Sequence, residues 1–108
     1  LRLHYAAARP VPEPVFGFAI ADRKGRVVHG SNTQLAGFAV PEVAGQGSIE
    51  VELPRLGLAT GHYLISFAVH SPDHLTHYHR VDHALFIEVE NRLAFDGCVE
   101  LPSHWRTC

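Results

Sequence analysis

Apolar and polar residues alternate in short segments along most of the chain. These segments lie at residues 1–6, 16–21, 26–29, 48–53, 62–70, 82–90 and 98–101. A period of two residues is typical of a β-strand with one face on the core, whereas no helix-length window keeps the 3.6-residue period of an amphipathic helix. We therefore predict an all-β fold, specifically an antiparallel immunoglobulin-like β-sandwich.

Turn-forming residues separate the predicted strands. Residues 22–25 end in a glycine and predict a hairpin turn, and the prolines of residues 9–14 predict an extended connection without ladder bonds. Residues 30–47 are rich in Gly, Asn, Thr and Ser and predict a long loop, with one short edge strand at residues 38–40. A second polar loop is expected at residues 71–80.

One tyrosine has the setting of a known sandwich feature. Tyr63 lies just inside a predicted strand and follows Gly61 and the upstream Leu58. This spacing is typical of a tyrosine corner, in which the hydroxyl bonds back to the main chain. An ordinary buried tyrosine is the alternative that the sequence leaves open.

Composition limits the function classes. The 108 residues have room for one domain, residues 1–108, and 46% hydrophobic with 19% charged residues excludes a disordered chain. A net charge of −2 indicates no nucleic-acid partner, and no apolar run is long enough for membrane insertion. Because the chain starts without Met and without a signal pattern, we expect it to be a fragment of a longer chain.

No catalytic or metal-binding motif emerges. There is no Gly-x-Ser-x-Gly elbow and no phosphate loop, so we predict no enzymatic activity and no cofactor. Cys98 and Cys108 are too few for a disulfide framework and indicate a reduced, cytosolic setting. Five clustered histidines match no standard zinc spacing, so we expect no metal site and interpret them as solvated loop residues: His70, His74, His77, His79 and His83.

The predicted outer face of the central sheet is where a ligand would fit. We expect the larger side chains to point inward, namely Phe16, Phe18, Tyr63, Phe67 and Ile87. Small residues then leave a shallow trough on the outer face. Proteins commonly bind sugars with an aromatic ring that stacks on the sugar and with polar groups that bond to its hydroxyls. The carbohydrate-binding candidates are Phe86 as stacking platform and, as hydrogen-bonding groups, His70, Ser66, Asn32 and Glu88. A partner sheet or subunit packed on the same face is the alternative.

Four motifs, in order along the chain, resemble a known family. They are residues 16–22 with Gly25, residues 30–33, the corner from Leu58 to His70, and residues 97–101 followed by His104 and Trp105. Together they are similar to the C-terminal domain of Wzt-type nucleotide-binding subunits of polysaccharide ABC transporters. The family's opening strand is missing from the pattern, because Leu1 aligns with the second one.

The resemblance implies a function and partners. It implies recognition of an O-antigen polysaccharide at the cytoplasmic face of a bacterial inner membrane, beside the transporter's membrane subunit, with ATP hydrolysis in a separate domain of the parent chain. It also implies a homodimer formed by exchange of the last strand, predicted at residues 98–101. The alternative is an assembly domain that dimerises and has no ligand of its own.

Overall fold

The computed structural model describes all 108 residues and contains six strands and no helix. The strands are β1 (Arg2–Val11), β2 (Val15–Asp22), β3 (Val27–Asn32), β4 (Val43–Glu50), β5 (Gly61–His70) and β6 (His77–Val89). Every pairing between them is antiparallel. The chain has no helix that is long and apolar enough to cross a lipid bilayer.

The strands form two sheets. One has four strands in the order β3-β2-β5-β6, and the other has the two strands β1 and β4. The β2–β5 ladder places Phe18 opposite Phe67 and Ile20 opposite Ile65, so the large side chains share one face. The prediction of an all-β antiparallel immunoglobulin-like sandwich is confirmed.

The core lies on the inner face of the larger sheet and centres on its two middle strands. Its buried residues are Ile20, Leu58, Tyr63, Ile65 and Val89. The two isoleucines are 2% and 1% exposed, and burial of each contributes about 1.5–3 kcal/mol. All of the predicted inward side chains are buried or partly buried, which confirms the predicted orientation of β2 and β5.

The predicted tyrosine corner is present. The Tyr63 hydroxyl donates a hydrogen bond of 2.7 Å to the main-chain oxygen of Ala59, four residues upstream. Burial raises the pKa of the Tyr63 phenol, because the anion would lose its hydration. The bond ties the segment before β5 to the core.

The predicted hairpin between β2 and β3 is also present. Asp22 Oδ1 accepts hydrogen bonds of 2.9 Å from the main-chain N–H groups of Lys24 and Arg26, and Gly25 adopts φ +84°. The hydrogen bond from Arg26 N–H is the largest cause of the lowered pKa of Asp22. Asp is common at the start of such turns because its carboxylate can accept hydrogen bonds from the main-chain N–H groups of the turn.

Strand boundaries differ from the predictions outside the central strands. β4 begins at Val43, inside the predicted loop of residues 30–47, and residues 38–40 form no strand. β4 pairs with β1, and Gly47 lies opposite Tyr5, whose ring occupies the space that a side chain at Gly47 would fill. Pairing and the aromatic neighbour therefore specify this strand more than its own residues do.

The two ends of the chain also differ. β1 continues to Val11, past Pro10, with a register irregularity after Ala7. The predicted last strand at residues 98–101 is reduced to a single bridge between Val99 and Leu58 of the same chain. Glu100 anchors that bridge through Asn91 Nδ2 at 2.9 Å and an ion pair with Arg55.

Candidate functional site

An open trough of about 310 Å³ lies on the outer face of the four-stranded sheet, away from the core. Outward positions on three neighbouring strands carry small side chains, and these form its floor: Gly17, Ala19, Gly30, Ser66 and Ala68. A methyl group added at Gly17 would lie 3.3 Å from Asn32 Cβ, so even alanine would be tight there. The trough exists because adjacent strands place small residues opposite each other.

Two polar side chains on the trough have unused hydrogen-bonding groups. Asn32 Oδ1 accepts a bond of 2.7 Å from Leu35 N–H, which leaves its amide hydrogens unpaired. Ser66 Oγ accepts a bond of 2.9 Å from His83 N–H, which leaves its hydroxyl hydrogen unpaired. Both side chains are therefore held in place by the main chain and can still donate to a ligand.

His70 lies at one end of the trough and is nine-tenths buried. Its Nδ1 lies 2.7 Å from the main-chain oxygen of Ser71. Its ring centroid is 4.3 Å from that of His74 and 6.2 Å from that of His77. The interpretation of this cluster as solvated loop residues is therefore wrong for His70, because the strand and the loop after it enclose the ring.

The loop between β5 and β6 is fixed by its own hydrogen bonds. Asp73 Oδ1 accepts from the Ser71 hydroxyl and, at 3.0 Å, from Leu75 N–H. These bonds lower the pKa of Asp73, with the Ser71 bond as the largest cause. Gln34 ties the loop to the other side of the trough, through Pro72 O at 3.1 Å and His74 Nε2 at 3.0 Å.

An ion pair forms the side of the trough along β6. Arg80 Nε donates to Asp82 Oδ1 at 2.8 Å, and both side chains are more than half exposed. Arg80 pairs with Ala68 in the ladder, and a bulge with His83 at φ +53° follows opposite Ser66. Sequence reasoning missed Arg80 and Asp82, although they share the even-numbered parity of Phe86.

The remaining two candidates lie on the same face, near the end of β6, opposite the first residues of β5. Phe86 pairs with Leu64, is 63% exposed, and stacks on the His62 ring with centroids 5.2 Å apart and planes at 24°. Glu88 pairs with His62, whose Nδ1 is buried without a partner. The structure thus brings Asn32, Ser66 and His70 together in the trough, and places Phe86 and Glu88 beside it.

Two other cavities lie between the sheets, and they have a different character. The larger, about 510 Å³, is enclosed mainly by apolar side chains of β1, β5 and β6, and the smaller, about 250 Å³, opens beside Phe38. The smaller one also has polar lining residues, among them Asn32, Thr33 and Glu50, but it lacks the small-residue floor of the trough. No group of three or more His, Cys, Asp or Glu side chains is arranged to hold a metal ion.

Comparison with known proteins supplies the family. The family model of the Wzt C-terminal domain matches residues 1–101. The fold is similar to a solved structure described as the crystal structure of the C-terminal domain of Wzt. The TM-score is 0.84 at 21% identity, over 98% of this chain and 67% of that one. No curated protein sequence matches the chain. Because the family model covers nearly the whole sequence, the chain belongs to the Wzt C-terminal domain family.

Proposed function

We propose that the chain recognises a bacterial cell-surface polysaccharide, an O-antigen, and does not transform it. Membership of the Wzt C-terminal domain family supports involvement in an O-antigen ABC transporter. The observation that supports polysaccharide recognition by this chain is the trough, where unused hydrogen-bond donors and acceptors lie beside the exposed ring of Phe86. A sugar matches this arrangement, because its edge hydroxyls can bond to the donors and acceptors and the C–H groups of its face can stack on the ring.

The proposed partners and location follow from the same reasoning. The chain would act at the cytoplasmic face of the bacterial inner membrane, next to the transporter's membrane subunit, and pass the glycan to it. The side chains with shifted pKa values have structural explanations: Asp22 and Asp73 accept turn hydrogen bonds, and Tyr63 is buried. This supports a binding role over a catalytic one.

A titration with purified O-polysaccharides, followed by calorimetry or NMR shifts, tests the proposal. Phe86→Ala should weaken binding and raise the Kd by about tenfold or more, because the stacking ring is lost. The matched control is Phe38→Ala, since Phe38 is 61% exposed but lies on the loop after β3 and lines a different cavity. Equal affinity of the two variants would contradict the role of Phe86.

Stability measurements on the same variants check the orientation of β6. Because Phe86 is 63% exposed, its replacement should cost no more than about 2 kcal/mol. A loss of roughly 3–5 kcal/mol, as for a core aromatic, would show that the ring faces inward.

We also propose that the chain is a homodimer joined through its C-terminal segment. Trp105 is 97% exposed and Leu101 78%, so neither covers the core of its own chain. The bridge at Val99 involves only two main-chain bonds, Ala59 N–H to Cys98 O and Glu100 N–H to Gly57 O. An identical chain could offer the same bonds, and exposed large aromatics are common anchors of interfaces.

Dimerisation without any ligand is the competing function. The same exposed apolar residues at the C-terminus favour it. It predicts that no O-polysaccharide binds and that trough substitutions affect neither affinity nor mass. The titration above therefore separates the two.

A further inference from the structure

His70 presents a hydrogen-bond acceptor to the trough. The Ser71 oxygen, 2.7 Å from Nδ1, can only accept, so Nδ1 carries the ring hydrogen. In the neutral ring Nε2 is then an acceptor, no protein group donates to it, and it is not among the buried unpaired atoms, so it is open to solvent or to a ligand. The ring is fixed by its enclosure and its Nδ1 bond and lines the trough, so its accessible nitrogen can accept a hydrogen from a ligand bound there.

The other unused groups balance this acceptor. Asn32 and Ser66 each offer hydrogens, since their oxygens already accept from the main chain. Arg80 and Asp82 use one atom each on the other, which leaves Nη hydrogens and Oδ2 available. The trough therefore presents donors and acceptors side by side, as a sugar hydroxyl requires, because a hydroxyl both donates and accepts.

The trough carries no uncompensated formal charge. Apart from imidazoles, the only ionisable groups that line it are Arg80 and Asp82, and they form an ion pair with each other. An anionic sugar would need a positive charge that no protein group balances, whereas Asp82 balances the charge of Arg80. The same carboxylate would repel a uronate or a phosphate placed beside it.

We infer that the trough takes an uncharged sugar residue, with His70 Nε2 accepting a hydrogen from one of its hydroxyls. This inference rests on the proposed function and adds the class of glycan. It excludes carboxylated and phosphorylated repeat units as ligands of the wild-type chain. It also predicts that the affinity does not depend on ionic strength, because no net charge is neutralised on binding.

An array of purified bacterial O-polysaccharides, with neutral, carboxylated and phosphorylated repeat units, tests the inference. Binding should be confined to neutral polymers and should keep its Kd when sodium chloride is raised. A carboxylated or phosphorylated polymer that binds as well as any neutral one would overturn the inference and leave the proposed function intact. Absence of binding by every polymer would defeat the proposed function itself.

Two substitutions make the test specific to the trough. Asp82→Asn frees Arg80, so this exposed variant should gain affinity for a carboxylated polymer that the wild type ignores. Asp96→Asn removes an exposed carboxylate outside the trough and should gain nothing. If both variants respond alike, net charge and not the trough sets the selectivity, and the inference fails.

His70→Phe removes the acceptor and keeps a ring in the enclosed position. Binding of the neutral polymer should weaken by about tenfold or more, as expected when a ligand hydroxyl loses its acceptor. His79→Phe is the matched control, because His79 is exposed and does not line the trough. Should His70→Phe fail to fold, the Asp82→Asn measurement still decides the inference.

Discussion

The tyrosine corner gives the sharpest test of how this sandwich is held together. Tyr63→Phe removes one hydroxyl and leaves the ring, which is 5% exposed, in place. What is lost is the 2.7 Å bond to Ala59 O. The bond itself contributes about 0.5–1.5 kcal/mol, and an acceptor left unpaired in a partly buried site adds to the loss. We expect destabilisation of about 1–2 kcal/mol.

Urea or thermal unfolding measures this loss. For a domain of this size, 1 kcal/mol corresponds to a fall in Tm of about 4–8 °C. Tyr78→Phe is the matched control, because Tyr78 is 42% exposed and its hydroxyl makes no hydrogen bond, so the change should stay within about 0.5 kcal/mol. Equal losses in the two variants would show that the Tyr63 bond contributes nothing.

The pH dependence of the same pair adds a second readout. Burial raises the pKa of Tyr63 above 10.0, so the unfolded chain loses the phenolic proton at lower pH than the folded chain. The free energy of unfolding therefore contains a contribution that is complete below about pH 10 and is lost as the pH rises further. The difference between wild type and Tyr63→Phe should shrink above that pH. A constant difference would contradict the assigned cause of the shift.

Two further expectations concern the edges of the fold. Gly47→Ala should destabilise the chain by roughly 1–3 kcal/mol in urea unfolding, because its Cβ would overlap the Tyr5 ring, whereas Gly30→Ala meets only ordinary contacts, the nearest at 3.6 Å, and should cost less. Light scattering should report a dimer for the intact chain and a monomer after deletion of residues 98–108, with Trp105→Ala weakening association. An intact chain that stays monomeric at high micromolar concentration would refute strand exchange.

The central strands could be predicted because their two faces differ in size. In β2 and β5 the inward positions carry Phe16, Ile20 and Ile65, whereas the outward positions in the middle of both strands carry glycine, alanine and serine. This contrast specifies both the strand and its orientation. The hairpin at Asp22 could also be predicted, because local hydrogen bonds form it, and the spacing around Tyr63 indicated the corner without excluding an ordinary buried tyrosine.

The first half of the edge strand β4 could not be predicted from its own residues, although the alternation at residues 48–50 predicted its end. It contains Gly45, Gly47 and Gln46 and has no two-residue apolar period over its first half. Its conformation depends on pairing with β1, more than thirty residues away in sequence. Strand preference is largely a matter of cross-strand neighbours, and a single sequence does not show which segments become neighbours.

The trough was predictable in position but not in its full set of groups. The parity of β5 placed Ser66 and His70 outside, and the structure agrees. Because residues 71–80 were predicted to form a loop, Arg80 was not recognised as an outward strand residue, whereas β6 begins at His77. Enclosure of His70 by His74 and His77 depends on how the loop folds back, with His74 at φ +63°, and periodicity carries no information about that.

The two faces of the four-stranded sheet therefore have separate tasks. Inward side chains bury apolar area, and losing one of them costs stability. Outward side chains such as Asn32 and Arg80 present hydrogen-bonding groups over a floor of small residues, so exchanging them alters little buried area. Ligand preference can consequently change without loss of the fold at these positions. Gly17 is different, because a larger residue there would fill the trough and press on Asn32.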